Sequence, residues 1–135
     1  MAEEAKWDEL KTILMKENRD DATDCLGTFI SDQPVIFYLI SRITEGGKIK
    51  SVTVVTHVRC VFIDCTSEKG ILRTHIFFMH DLKGVDCSSH KVENKIRHNI
   101  KLSFSVGELN IEHTGMEEAK LFIQGINKFV VSGED

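Results

Sequence analysis

The chain of 135 residues has one proline, one tryptophan and one tyrosine. It also has no apolar run near the ~18–20 residues that a spanning helix needs. Its longest apolar stretches, Val35 to Ile40 and Cys60 to Ile63, are strand-length. No basic start leads into an apolar segment, so no secretory signal is expected. Position two is Ala, no C-terminal lipidation box follows Val131, and no Asn-x-Ser/Thr sequon occurs. A basic excess is missing too: 17 Lys+Arg face 21 Asp+Glu, a net charge of −4. A general nucleic-acid binder needs net or clustered positive charge, so no nucleic-acid partner is expected. These absences point to an intracellular, soluble, cytoplasmic protein, with room for peripheral contact at a membrane surface.

What is present suits a globular domain. Hydrophobic residues make up 41% and charged residues 28%, which excludes a disordered or fibrous chain. A chain of this length buries roughly two-thirds of its unfolded surface in one core, so it needs neither disulfides nor a structural metal to fold. The four cysteines, Cys25, Cys60, Cys65 and Cys87, lack the paired spacing of a zinc site. Cys60 and Cys65 are five apart, an odd offset that places them on opposite faces of an extended strand. In a reducing compartment such thiols read as small buried hydrophobes. No metal and no cofactor are expected.

Residues 3–18 read as an amphipathic helix with Trp7, Leu10, Ile13 and Leu14 on one side. The acidic stretch 19–24 reads as a connection. From Pro34 the period changes. Residues 35–44, 49–56, 60–65 and 71–79 read as strands, with turns at 45–48 and 66–70. Residues 85–89 suggest a short strand, and 90–99 a polar loop. Ile100, Leu102, Phe104 and Val106 alternate with polar residues, the pattern of a half-buried antiparallel strand, which Gly107 turns back towards Leu109 and Ile111.

The chain closes with a helix. Thr114 and Glu117 have capping-box spacing. Met116, Ala119, Phe122, Ile123, Ile126, Phe129 and Val130 form one apolar stripe wide enough to bury on a sheet. The expected architecture is α+β and mainly β. It is a strongly bent antiparallel sheet or partly open barrel of six or seven strands, capped by the C-terminal helix, with an extra N-terminal helix. The expected organisation is a helix and linker over 1–21, the main domain over 22–131 and a frayed tail over 132–135.

Thr56-His-Val-Arg59-Cys-Val-Phe-Ile-Asp64 resembles the Thr-x-x-Arg, hydrophobic run, Asp hairpin of pleckstrin-homology-like domains, especially the bacterial, GRAM and myosin-tail-homology branches. Residues 76–85 are similar to that family's strand leading into Asp, hydrophobic, x-x, Val. The strand and helix over 109–130 look like its closing unit. The resemblance spans roughly residues 32–131. It implies a binding module without catalysis, for phosphoinositide headgroups, proteins or both.

Catalytic signatures are missing. No Gly-x-Ser-x-Gly, His-Glu-x-x-His or glycine-rich phosphate loop occurs, and His80 and Asp81, as neighbours on an extended segment, point apart. No catalytic residue is therefore assigned. Three groups of binding residues stand out. Lys48 and Lys50 share one face of a hairpin arm and, with Arg59, are the candidates for a phospholipid headgroup. Many lipid-binding members of the family carry basic residues at this hairpin, but here Glu45 occupies the turn and the set is thin. Lys91, Lys95, Arg97 and Lys101, with His90 and His98, meet only Glu93 within a dozen residues, a basic loop suited to weak, salt-sensitive adsorption on anionic lipid. Trp7, Leu10 and Leu14 either pack on their own domain or dock on a partner. The helix that carries them has more acids than bases and makes a poor membrane anchor.

The leading expectation is a non-catalytic adaptor module that recruits a protein partner, with weak anionic-phospholipid contact as an accessory. The alternatives are a phosphoinositide-headgroup-binding domain for membrane targeting, and a small-ligand carrier or small enzyme using the interior of the bent sheet.

Overall fold

The computed structural model describes residues 2–30, 33–42, 47–66, 72–92, 94–113 and 115–133; the side chains of 2–5, 92, 95, 113, 116 and 129–133 lie outside this description. Two helices lead: α1 (Ala2–Lys16) and α2 (Asp20–Ile30). Four strands follow, β1 (Phe37–Arg42), β2 (Ile49–Val55), β3 (Arg59–Asp64) and β4 (Arg73–Phe78). A short 3₁₀ turn, Met79–Asp81, leads into β5 (Leu82–Val92), β6 (Lys95–Phe104) and β7 (Gly107–His113). The last helix is α3 (Met116–Gly133). The strands form two antiparallel meanders, β1-β2-β3-β4 and β5-β6-β7, which do not join into a closed barrel. The fold is α+β and mainly β, with a C-terminal helix, as expected.

Residues 19–24 are not a connection. Asn18 adopts a left-handed φ of 58° and ends α1, with the Arg19 amide bonded back to the Leu14 carbonyl at 2.8 Å. The chain then re-enters a helix at Asp20, with Asp20 and Asp21 in the first turn, where the helix dipole favours acids. Ala22, Leu26 and Ile30, four apart, bury one face of α2. A boundary after residue 21 therefore falls inside α2. At the other end, α3 continues through Ser132 to Gly133.

The first sheet is covered on both faces. On one side Leu10 and Leu14 of α1 and Ala22, Leu26 and Ile30 of α2 pack with Val52, Val54, Val61 and Ile63. On the other, Leu39, Val55 and Cys60 meet Ile100, Leu102, Phe104, Leu109 and Ile111 of the second sheet and Ala119, Phe122 and Ile126 of α3. Double coverage explains why Ser51 through Val55 are all buried instead of alternating. It also buries two hydroxyls, Ser41 Oγ and Thr53 Oγ1, that have no hydrogen-bond partner among the described residues. The α3 stripe is buried at Ala119, Phe122 and Ile126. The ring of Phe122 meets that of Phe37 edge to face at 5.4 Å. Gly125 lets the helix approach, since a Cβ there would lie 3.1 Å from the Phe37 ring. Thr114 and the side chains of Met116, Phe129 and Val130 lie outside the described residues.

Three further expectations are corrected. The polar stretch 90–99 is not a loop: β5 and β6 are one long hairpin, in register from Val92↔Lys95 down to Gly84↔Ser103 with a shift before Leu82↔Phe104, and Asn94 is left-handed at φ 68° in its turn. Cross-strand hydrogen bonding makes these polar residues strands without apolar alternation. Val106 is not the last inward residue of β6. It sits in the two-residue turn before β7 and is 79% exposed. His80 and Asp81 do meet, with Nε2 3.4 Å from Oδ1, because the 3₁₀ turn replaces the extended backbone that would have separated them. Among the described residues, no helix is long and apolar enough to cross a membrane.

Candidate functional site

One member of each basic cluster, Lys50 and Arg97, meets the other where the first sheet faces the second. Lys48 is exposed just before β2, and Lys50 is half-buried on β2. The Lys50 Nζ lies 3.5 Å from Oε1 of Glu112 on β7, so the lysine reaches across to the other sheet. Arg97 on β6 donates from Nη1 to the same carboxylate oxygen at 2.6 Å. Burial would raise the Glu112 carboxyl, but the Lys50 charge and the Arg97 hydrogen bond outweigh it and hold the group below its ordinary value.

Arg59 does not join them. It sits at the far end of the β2–β3 hairpin, about 17 Å of strand from Lys50 at ~3.3 Å per residue. There its Nη1 donates to the Phe29 carbonyl at 3.0 Å, satisfying an end group in the last turn of α2. Lys48, Lys50 and Arg59 do not converge on one pocket. Arg42, on the neighbouring arm, is also engaged. Its two terminal nitrogens grip both oxygens of Glu17 at 2.6 and 2.7 Å, and Nη1 donates to the Gly47 carbonyl at 2.8 Å.

Strand geometry divides the second cluster. Arg97 and Lys101 share one face of β6 with Asp86 of β5 and Glu108 and Glu112 of β7. Lys101 lies 3.8 Å from Glu108 and is the cross-strand partner of Asp86. Acids from the neighbouring strands therefore sit among bases that the sequence alone presents as a block. Lys91, opposite Ile96, belongs to the other face and is exposed. The Lys95 side chain lies outside the described residues. His90 is exposed, whereas His98 is buried with Nδ1 2.8 Å from the Ser89 hydroxyl, so only the first faces solvent.

The N-terminal group is mostly interior. Leu10 and Leu14 are fully buried in the core beneath the first sheet and are not offered to a partner. Trp7 is half-buried at the edge of that core, with the Lys11 ammonium 5.4 Å from its ring. Among the described residues no group of three or more His, Cys, Asp or Glu is arranged to hold a metal. Cys60 is buried and its thiol is pushed up to about 12 by desolvation; Cys25 and Cys65 are half-buried, while Cys87 is exposed.

Glu112 was not visible as a site residue in the sequence, because its partners lie 15 and 62 positions away. The signal for α2 was present: Ala22, Leu26 and Ile30 recur at helical spacing behind two aspartates. A row of exposed apolar side chains was missed as well. Val58, Ile76 and Phe78 are 41%, 38% and 47% exposed around β4.

No family model, curated protein or solved structure matches this chain.

Proposed function

We propose that the chain is a non-catalytic pleckstrin-homology-like binding module that recruits a protein partner, with only weak and non-stereospecific contact to anionic phospholipid. Two antiparallel meanders followed by a helix packed on β1 and on the second sheet agree with the element order that the resemblance implies. A binding role is a separate step, since one fold hosts many functions.

The observation that moves the reading from lipid to protein is the engagement of the cations. Lys50 and Arg97 share Glu112, and Arg59 is turned to a helix carbonyl at the other end of its hairpin. Tight headgroup binding needs several convergent donors able to make charge-assisted bonds to phosphate. A carboxylate held between two of the cations works against a phosphate there, by repulsion.

Liposome co-sedimentation at low and physiological salt, with and without phosphoinositides, run beside affinity capture, tests the reading. Weak sedimentation on all anionic vesicles alike, lost at the higher salt, is expected, together with a protein captured at stoichiometric yield. Submicromolar binding that depends on phosphate position and disappears in Lys48→Ala would overturn it in favour of a phosphoinositide-binding domain.

A further inference from the structure

The β4 strand ends the first sheet, and among the described residues no strand pairs with its other edge. The direction of its backbone groups follows from two hydrogen bonds. The Thr56 amide donates to the Arg59 carbonyl, which turns Arg59 towards β2. The Met79 amide donates to the Val58 carbonyl, which turns the odd-numbered residues of β4 inward to β3. In an antiparallel ladder these directions alternate. The N–H and C=O groups of Thr74 and Ile76 and the N–H of Phe78 therefore point away from the sheet, a row ready to pair with another strand, while the Phe78 carbonyl caps the 3₁₀ turn that follows.

Side chains along this edge sort by face. Ile76 and Phe78 lie on the α2 side, large and exposed. The helix stands beside them: Cys25 Sγ lies 3.3 Å from the Thr74 hydroxyl. Arg73 and His75 are exposed on the other face, with Asp64 of β3 across the ladder from Arg73. The strand itself has no acidic residue. Of the other end strands, β1 and β7 lie beside one another, and β5 has features that discourage pairing: a register shift between Leu82 and Gly84, and exposed polar residues from Asp86 to Lys91.

We infer that the β4 edge is the partner-docking surface, and that its occupant is an extended peptide segment alternating apolar and acidic residues. The segment adds a fifth strand to the first sheet. Its apolar residues pack beside Ile76, Phe78 and α2, and its acids pair with Arg73 and His75. A second copy of this chain fits less well. Its own β4 would bring bases without acids, and six residues of strand bury less than the ~1,200 Å² of a stable dimer. This inference rests on the reading of the chain as a protein-binding module.

The probe is a capped peptide, Val-Glu-Val-Glu-Val-Glu-Val, titrated to about 1 mM into the isotopically labelled full chain. Saturable binding is expected, with slowed hydrogen exchange at the Thr74, Ile76 and Phe78 amides. Ile76→Pro removes an outward donor and leaves the β3 ladder intact, so binding should weaken at least about tenfold with the denaturation midpoint little changed. The double variant Arg73→Glu, His75→Glu should lose this peptide and gain its Val-Lys counterpart, which keeps the test decisive should Ile76→Pro fold poorly. Absence of binding, protection at β5 instead of β4, or protection of the β4 amides by self-association without peptide would each overturn the inference. If a captured partner still binds Ile76→Pro, the docking edge is wrong and the module reading stands; if no partner is captured at all, the module reading itself falls.

Discussion

Phe77 of β4 and Phe104 of β6 stack with ring centroids 4.4 Å apart and planes 16° from parallel, joining the two sheets through their facing sides. Phe104 is buried and Phe77 half-buried, so the contact is largely shielded from water. A double-mutant cycle to leucine at both positions should give a coupling of ~0.5–1.5 kcal/mol, read from urea denaturation midpoints. Strictly additive single changes would mean that the stack contributes area only.

Phe122 anchors α3. It is 2% exposed and meets the Phe37 ring edge-on. Phe122→Ala removes that contact and leaves a cavity between helix and sheet, and should cost ~3–5 kcal/mol. An unchanged midpoint would show that the helix is held by other residues.

Glu17 and Arg42 tie the end of α1 to the β1–β2 hairpin. The Arg42 hydrogen bonds hold the Glu17 carboxyl below its ordinary value of 4.5, against a smaller opposing effect of burial. The unfolded chain thus takes up this proton at higher pH than the folded one. The stabilisation is present above the unfolded pKa and is lost as pH falls through the folded pKa. Wild type should exceed Glu17→Gln in denaturation midpoint at about pH 6, and the gap should close on acidification towards about pH 3. A gap independent of pH would place the effect elsewhere.

Thr53 is fully buried, with a hydroxyl that has no partner among the described residues. Thr53→Val keeps the shape and removes a desolvated polar group, so stability should hold or rise by up to ~1 kcal/mol. A clear loss of stability on thermal denaturation would reveal a hydrogen bond made by that hydroxyl.

The cysteines should differ in reactivity. Cys87 is exposed on β5, whereas Cys60 is buried with its thiol pushed up to about 12. Native alkylation followed by mass spectrometry should label Cys87 readily and Cys60 only on unfolding, because the thiolate is the reactive form. Comparable rates at the two would indicate that the inner sheet face opens in the native state.

Sequence alone settled what local periodicity can encode. The alternation at Ile100, Leu102 and Phe104, the helical stripe at Ala119, Phe122 and Ile126, and the strand-rich middle all place their apolar faces in the core. Periodicity tells which side of an element is apolar, but not what lies beside it. The long β5–β6 hairpin was hidden for that reason: its polar outer half is a strand because it pairs with a neighbouring strand, not because of its own pattern. The same non-local step brought Glu112 between Lys50 and Arg97, and so turned an apparent block of cations into interleaved ion pairs. It also buried Leu10 and Leu14 against a sheet face that α2 helps to cover, and left the β4 edge open. Strand order and register are set by contacts between distant residues, and only the tertiary structure decided them.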